Sequence, residues 1–214
     1  NFPSALTGNT YTANTTQAIE LVGGTLTTDT TLPFDGLPYV VTSTIAVYKY
    51  LDPPVTLTIA PGVRLQFAAA TGLLVSGGNA SYPGALFAQG SASQPITLTA
   101  NSASPTPGFW NGLSVSDGGP DASVLCDYCV IEYGGADSAN ANVYLNTSNP
   151  VTLTHSTIRQ SDGYGIYVTG SAPILEDNTI TDNATYGVYL GSGTGATKPT
   201  FQRNTVSNNG SYPR

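Results

Sequence analysis

Hydrophobic and polar residues alternate along short segments of this chain. In the segment GIYV at 165–168, Ile166 and Val168 point to one face of an extended strand while Tyr167 points to the other. Similar segments are rich in β-branched and aromatic residues and are separated by Gly and Asn turns, which is typical of strands rather than helices. The pattern therefore predicts an all-β chain.

The alternating segments recur at a nearly fixed interval. The segment DNTITDNATYGVYL at 177–190 repeats most of the earlier segment HSTIRQSDGYGIYV at 155–168. Three copies can be aligned, and they begin at Asn142, Gly165 and Gly187. A period of this length indicates stacked units that cannot bury their apolar faces alone. We expect one domain over 1–214, with the clearest repeats at 142–212 and a candidate N-terminal cap or docking segment at 1–22.

Stacked copies place equivalent residues in columns about 4.8 Å apart. Two inward apolar columns are predicted: Ile131, Ile158, Ile180 and Val206, and also Leu113, Val143, Ile166 and Val188. A polar inward column precedes the first: Cys129, Ser156, Asn178 and Asn204. We expect it to form a hydrogen-bonded ladder, because an unpaired buried amide costs about 1–3 kcal/mol.

The outward columns carry aromatic and charged side chains. Two tyrosine stripes are candidates for contacting glycans: Tyr144, Tyr167 and Tyr189 in one, and Tyr164, Tyr186 and Tyr212 in the other. A third outward column contains Tyr128, His155, Asp177 and Arg203. The same alignment places Glu132 one coil away from Arg159. We expect these charged pairs to hold register, each contributing no more than about 1 kcal/mol.

Upstream segments resemble a known architecture. VTLTIAPGVRLQF (55–67), GALFAQGSASQPITLTAN (84–101) and FWNGLSVSD (109–117) resemble the right-handed parallel β-helix repeats of bacterial surface and secreted proteins. The resemblance extends from about Gly23 to Tyr212 and implies a single-stranded right-handed parallel β-helix, or β-solenoid. At about 23 residues per coil, eight or nine rungs are expected. The architecture carries lyases, hydrolases, adhesins and structural shafts, so the resemblance implies a fold rather than an activity.

The amino-acid composition limits the classes of partner and the location that the chain can be expected to have. Only 9% of the residues are charged and the net charge is −7, so a nucleic-acid partner is not expected. No run reaches the roughly 18 apolar residues of a membrane span. Low lysine content with abundant Asn, Thr, Tyr and Gly favours an extracellular or cell-surface location. Candidate glycosylation sequons begin at Asn14, Asn79, Asn146, Asn183 and Asn209.

No catalytic, metal or cofactor site is predicted. The thirteen acidic residues are scattered, and no predicted column holds two of them. His155 is the only histidine, and a surface pair with Asp177 is favoured over acid–base chemistry. Cys126 and Cys129 are expected to form a local disulfide across a coil corner, unless they share one straight strand. Trp110 is expected to pack at a corner of the coil or to cover the insertion NSASPTPG, rather than to bind a sugar.

Two functional hypotheses follow from these observations. The last copy runs into NNGSYPR with no amphipathic cap, so we expect an open rung there. The favoured hypothesis is a structural or adhesive extracellular module that associates end to end with copies of itself. The alternative is a polysaccharide-binding or polysaccharide-cleaving β-helix protein, with cell-surface glycans as partners.

Overall fold

Short strands form all the regular secondary structure in the described part of the chain. A computed structural model describes residues 9–51, 53–116, 123–192 and 198–210. In chain order the strands are β1 (Ile19–Leu21), β2 (Gly24–Leu26), β3 (Thr30–Leu32), β4 (Tyr39–Val41), β5 (Ile45–Val47), β6 (Val55–Ile59), β7 (Arg64–Phe67), β8 (Gly72–Val75), β9 (Gly84–Gln89), β10 (Ile96–Ala100), β11 (Gly112–Ser116), β12 (Val124–Asp127), β13 (Cys129–Glu132), β14 (Ala141–Asn146), β15 (Val151–Thr154), β16 (Thr157–Arg159), β17 (Tyr164–Val168), β18 (Ile174–Glu176), β19 (Thr179–Thr181), β20 (Val188–Leu190), β21 (Thr200–Gln202) and β22 (Thr205–Ser207).

Successive strands enter three sheets in rotation, so the chain forms a coil with three sides. Sheet A has eight strands, in the order β1-β4-β7-β10-β13-β16-β19-β22. Sheet B has seven strands, in the order β2-β5-β8-β11-β14-β17-β20. Sheet C also has seven, in the order β3-β6-β9-β12-β15-β18-β21. Neighbouring strands in every sheet are parallel, as the predicted stacking of coils requires.

Both predicted apolar columns are confirmed. In sheet A, Ile131 pairs with Ile158, which pairs with Ile180, and Val206 follows on the last described coil. In sheet B the pairing runs through the second column in the same way, from Leu113 to Val188. On earlier coils Leu65 and Leu98 continue the sheet A column. Sheet C also buries its inward residues, as in β6, where Val55, Leu57 and Ile59 are buried. One continuous apolar core therefore runs along the coil axis.

Trp110 lies in this core, which agrees with the prediction that it packs rather than binds a sugar. It is fully buried, and its ring stacks on Phe67 with centroids 4.3 Å apart and planes within 8°. Its indole Nε1 donates a hydrogen bond to the carbonyl oxygen of Glu132 at 2.8 Å. The polar atom of the ring is thus satisfied inside the coil, as burial of Trp requires.

The predicted polar ladder is present at the corner between sheets C and A. The Cys129 amide donates to Ser156 Oγ at 2.9 Å, and the Ser156 amide donates to Asn178 Oδ1 at 2.9 Å. The Asn178 amide donates to Asn204 Oδ1 at 3.0 Å. The Asn178 Nδ2 atom donates to Leu153 O on the preceding coil and to Asn204 Oδ1 on the following coil, so the side-chain amide is paired with both neighbouring coils. These bonds satisfy groups that burial would otherwise penalise.

A second ladder, not predicted from the sequence, lies at the corner between sheets A and B. Asn183 is completely buried and accepts a hydrogen bond from the Ser161 amide at 3.0 Å. Its own amide donates to Asn209 Oδ1 at 3.1 Å, and Asn142 Nδ2 donates to Asn183 Oδ1 at 3.3 Å. The buried asparagines thus link three coils along this edge.

Each of the last four turns from sheet C into sheet A places the residue directly after the strand in the left-handed region. The φ angles are 50° at Tyr128, 47° at His155, 57° at Asp177 and 52° at Arg203. These residues follow directly after β12, β15, β18 and β21. Because the same backbone turn recurs on successive coils, these side chains stack into one outward column.

The first coil includes part of the predicted N-terminal segment. β1 pairs with β4 in sheet A, so residues 19–21 form a strand of the coil itself. Before β1, the Tyr11 hydroxyl donates to the Asp35 carboxylate, and Asn9 donates to the same group. This contact joins the described N-terminal residues to the first coil.

Candidate functional site

The predicted tyrosine stripe lies on the outer face of sheet B. β14, β17 and β20 hold Tyr144, Tyr167 and Tyr189 in direct register. The ring centroids of Tyr144 and Tyr167 are 5.3 Å apart, and those of Tyr167 and Tyr189 are 5.1 Å apart. Both pairs meet edge to face, at 67° and 74° between planes. Adjacent coils thus place one aromatic ring above the next.

The second predicted stripe is not separate from the first. Tyr164 lies 4.8 Å from Tyr189 and 5.2 Å from Tyr167, and it stacks on Tyr186 with planes within 8°. Tyr186 also lies 6.2 Å from Tyr189. The third member of that stripe, Tyr212, lies outside the described residues. We call the five contacting residues the tyrosine face: Tyr144, Tyr164, Tyr167, Tyr186 and Tyr189.

The tyrosine face is open to solvent at one end. The exposed fraction is 62% for Tyr186 and 37% for Tyr189, whereas the other three rings are half-buried. Burial raises the pKa of Tyr144. Gly191 leaves room for the ring of Tyr167, since a Cβ atom at this position would lie 2.9 Å from that ring. The rings are therefore held in place by their neighbours, with free faces at Tyr186 and Tyr189.

A shallow groove continues along the same sheet beyond Tyr144. Ser114 and Leu74 precede Tyr144 in its register column, so small and aliphatic side chains replace tyrosine there. The groove has a volume of about 180 Å³, and Asn111 and Asp137 also line it. Burial raises the pKa of Asp137, whose carboxylate accepts hydrogen bonds from two backbone amides. A few polar groups thus line a mainly flat surface.

The charged column at the corner between sheets C and A forms a chain of contacts. His155 Nδ1 lies 2.8 Å from Asp127 Oδ1, and His155 Nε2 lies 3.9 Å from Asp177 Oδ2. The His155 ring stacks on Tyr128 at 4.7 Å. The neighbouring position of Asp177 was predicted, whereas the closer contact with Asp127 was not. Asp127 directly precedes the corner on the preceding coil, and the column alignment did not place it beside His155.

Arg203 completes this column on the last described coil. Its Nε and Nη2 atoms donate to the two oxygens of Asp177, each at 2.8 Å. Nη2 also lies 3.0 Å from Glu176 Oε2. The hydrogen bonds from Arg203 hold the pKa of Asp177 below its usual range. The carboxylates of Asp177 and Glu176 are therefore both engaged by the Arg203 guanidinium.

The prediction that no column holds two acidic residues was wrong. Asp127 pairs with Thr154, and Thr154 pairs with Glu176, so two acids share a column two coils apart. The intervening Thr154 hydroxyl donates to Asp127 at 2.8 Å. Among the described residues, no group of three or more His, Cys, Asp or Glu side chains is placed to hold a metal ion.

The comparison with protein families decides the architecture. A family model described as a right-handed beta helix region matches residues 71–213, more than half of the chain. The chain belongs to the right-handed β-helix family. No curated protein matches the chain, and no solved structure matches it. The predicted fold is thus confirmed, and the family gives the hand of the coil.

The two cysteines of this β-helix are free thiols, contrary to the predicted disulfide. They lie in β12 and β13, on either side of the corner at Tyr128, and both are buried in the core. The Cys129 thiol donates to Ala88 O at 3.5 Å, on the preceding coil. The pKa of Cys129 is raised by the hydrogen bond with Cys126 and by burial. These thiols pack as small apolar side chains.

The candidate glycosylation sequons of this β-helix differ in how exposed their asparagine side chains are. Asn14, Asn79 and Asn146 are exposed, so their side chains are accessible. Asn183 was also predicted as a candidate, but it is completely buried, and its Nδ2 donates to Ile158 O, Thr181 O and Asn209 Oδ1. That prediction is wrong for the folded protein, because a glycan needs this same nitrogen. Asn209 is half-buried and continues the ladder, with its Nδ2 donating to Ile180 O.

A second aromatic cluster lies where the β-helix turns from sheet B into sheet C. Tyr82 lies 5.8 Å from Tyr48 and 5.5 Å from Tyr50. The Tyr50 side chain is 65% exposed. The sequence predicted no cluster here, because these tyrosines do not occupy equivalent positions of the repeat. The only available signal was the tyrosine-rich segments VYKYL and SYPG.

Membrane-spanning helices were not expected from the sequence. Within the described ranges, the chain has no helix long and apolar enough to cross a bilayer.

Proposed function

We propose that this β-helix is an extracellular adhesive module whose tyrosine face binds the sugar rings of a polysaccharide. The observation that carries the proposal is the continuous contact of five tyrosine rings across three coils of sheet B. Tyr186 and Tyr189 expose 62% and 37% of their surface. Contiguous exposed aromatic groups on a soluble protein are typical of binding sites.

The chemistry of tyrosine suits a carbohydrate partner. A tyrosine ring combines a large apolar face with a hydroxyl that can donate and accept hydrogen bonds. A pyranose ring is similar in character, with an apolar C–H face and hydroxyl groups at its edge. The free faces at Tyr186 and Tyr189 therefore match the apolar face of a sugar.

The charge of the protein favours an uncharged polysaccharide. The net charge is −7, which repels a polyanionic chain at low salt. Asp137 lines the groove next to the tyrosine face, and a carboxylate there accepts hydrogen bonds from sugar hydroxyls rather than pairing with an acidic sugar. Neutral polymers are thus the first partners to test.

The scaffold reduces the entropic cost of binding. All of the rings except Tyr186 lie on strands that are hydrogen-bonded into sheet B, and each ring packs against at least one other. Side chains already fixed in the free protein lose little rotamer freedom when a ligand binds. A rigid surface also matches the requirements of an adhesive module, which must hold its partner under load.

A panel of neutral and acidic polysaccharides tests the proposal by affinity electrophoresis. The variants Tyr189→Ala and Tyr186→Ala should each weaken binding to the best neutral polymer about tenfold, which corresponds to about 1.4 kcal/mol. Tyr50→Ala is the matched control, because Tyr50 is as exposed as Tyr186 but lies in the other aromatic cluster. Its affinity should equal that of the unaltered protein.

Two results would count against glycan binding. Either no polymer in the panel retards the protein, or the three variants bind equally well. The same samples can be assayed for newly formed reducing ends. Release of reducing ends would support the polysaccharide-cleaving alternative, and His155→Ala would then test whether the charged column contributes.

End-to-end association is a second candidate, favoured by the last described coil. Leu190, Phe201 and Val206 are exposed there by 59%, 48% and 46%. Each sheet has one outer strand on this coil and one on the first coil, so a second copy could extend all three sheets by parallel pairing. The N-terminal coil of another copy is the proposed occupant.

Sedimentation of the full chain over a range of concentrations tests this second candidate. Phe201→Ser should shift the population toward monomer if the last described coil is the contact. Phe87→Ser, which changes an exposed phenylalanine on β9, an inner strand of sheet C, should leave it unchanged. A chain that stays monomeric at high concentration would rule out self-association.

A further inference from the structure

Tyrosine is the main oxidisable side chain that this β-helix presents to solvent. The chain contains no Met and a single Trp, and Trp110 is completely buried. Cys126 and Cys129 are buried in the core. Oxidants reach Met and Cys side chains according to their exposure. In the described part of the molecule, an oxidant therefore meets tyrosine rings first.

Tyr164 and Tyr189 form the closest ring pair of the tyrosine face. Their centroids are 4.8 Å apart, whereas Tyr189 lies 5.1 Å from Tyr167 and 6.2 Å from Tyr186. The planes of Tyr164 and Tyr189 are within 24° of parallel, so their ring edges overlap. Tyr164 belongs to β17 and Tyr189 to β20, the neighbouring strand of sheet B. A bond between these rings would join two adjacent coils.

We propose that Tyr164 and Tyr189 form an oxidative cross-linking site. The oxidant class is a peroxide acting through a haem peroxidase. One electron and one proton leave each phenol, and the two phenoxyl radicals form a carbon–carbon bond between ring positions ortho to the oxygens. The proton on each of these carbons then moves to the phenol oxygen. Two electrons and two protons are lost in total, and they reduce one hydrogen peroxide to two waters.

The neighbouring rings give the oxidant access to this pair. Tyr186 is 62% exposed and contacts both partners, with centroids 6.3 Å from Tyr164 and 6.2 Å from Tyr189. A radical formed at Tyr186 can take an electron from either ring at this contact distance. The less exposed Tyr164 is then oxidised without direct contact with the peroxidase. This proposal rests on ring geometry and does not depend on carbohydrate binding.

The full chain, dilute and folded, would be treated with hydrogen peroxide and a haem peroxidase. Dityrosine fluorescence reports the bond, and the monomer band of a denaturing gel isolates coupling within one chain. Glutamate occurs only at Glu20, Glu132 and Glu176, so cleavage after glutamate separates the two tyrosines. Residues 133–176 should then remain linked to residues 177–214, and tandem mass spectrometry should place the bond at Tyr164 and Tyr189.

Tyr189→Phe is the decisive variant, because Phe keeps the ring packing but cannot form a phenoxyl radical. We expect loss of the linked peptide pair in this variant and its retention in Tyr128→Phe, whose ring lies at another corner. A linked pair that survives in Tyr189→Phe overturns the assignment. So does coupling that occurs only between copies, or that forms equally well after the chain is unfolded in denaturant.

Discussion

Arg159 Nη2 lies 2.6 Å from Glu132 Oε2, and the two residues are register partners on adjacent strands of sheet A. The Glu132 carboxylate is almost completely buried, whereas about half of the Arg159 side chain is exposed. Glu132 Oε1 also accepts a hydrogen bond from Thr99 Oγ1 at 2.9 Å, on the preceding coil. One carboxylate therefore connects three consecutive coils.

Removing the Arg159 guanidinium should leave the buried Glu132 carboxylate without its charged partner. We expect Arg159→Met to reduce the free energy of unfolding by about 2 kcal/mol, because a buried carboxylate loses charged hydrogen bonds. Urea denaturation measures the change. Arg64→Met, at an exposed position of the same sheet, is the control and should change stability by less than about 0.5 kcal/mol. Equal losses in the two variants would contradict the role of the pair.

The polar ladder between sheets C and A predicts a similar loss of stability when an uncharged member is replaced. Asn178→Leu should destabilise the protein by about 3 kcal/mol, because the Ser156 amide and the Leu153 carbonyl lose their partners. Asn178→Asp keeps the acceptor oxygen but cannot donate to Leu153 O, so it separates the two bonds. Amide hydrogen exchange at Ser156 should be faster in the leucine variant than in the aspartate variant. Identical exchange in both would contradict the ladder.

The contact between Arg203 and Asp177 should make the stability of the protein depend on pH in the acid range. The hydrogen bonds from Arg203 lower the folded pKa of Asp177 below the unfolded value, which is about 3.9. The stabilisation is therefore fully present above about pH 4 and is lost as the pH falls through the folded pKa of Asp177.

Two substitutions isolate this contribution. The difference in unfolding free energy between the unaltered protein and Asp177→Asn should be constant above about pH 4 and shrink below it. His155 and Glu176 also border this group, so the comparison is repeated with Arg203→Gln, which should remove the same pH dependence. A difference that grows on acidification would have the wrong sign for this pair.

The columns after Ile131 could be predicted because the repeats there are similar in length. Ile158 and Ile180 are register partners separated by one repeat, as the aligned copies require. Upstream, Leu98 pairs with Ile131 across a much longer stretch of chain, so the corner loops differ in length and a fixed period fails. The shared column of Asp127 and Glu176 lies one position before the predicted column of Tyr128, His155 and Asp177, so the same alignment was sufficient to predict it.

Contacts between different columns were the least predictable feature. The alignment placed Tyr164 and Tyr189 in separate stripes, yet their rings are the closest pair in the tyrosine face. Alternation assigns a side chain to the inner or outer face, but it does not give the distance between side chains of different columns. The same limit explains the contact between His155 and Asp127, which joins a corner residue to a strand residue on the preceding coil.

The buried sequon gives a prediction about glycosylation. When the chain is secreted from a host that glycosylates Asn-x-Ser/Thr sites, glycopeptide mapping of the folded protein should find glycans at exposed Asn79 and Asn146 but not at Asn183. The Asn183 Nδ2 atom donates to Asn209 Oδ1 at 2.9 Å inside the coil, where a sugar has no space. Asn183→Gln should reduce the unfolding free energy by about 2 kcal/mol, because the longer side chain breaks ladder bonds, whereas Asn79→Gln should be neutral. A glycan at Asn183 in protein that keeps its β-sheet circular dichroism would show that this coil opens around the ladder.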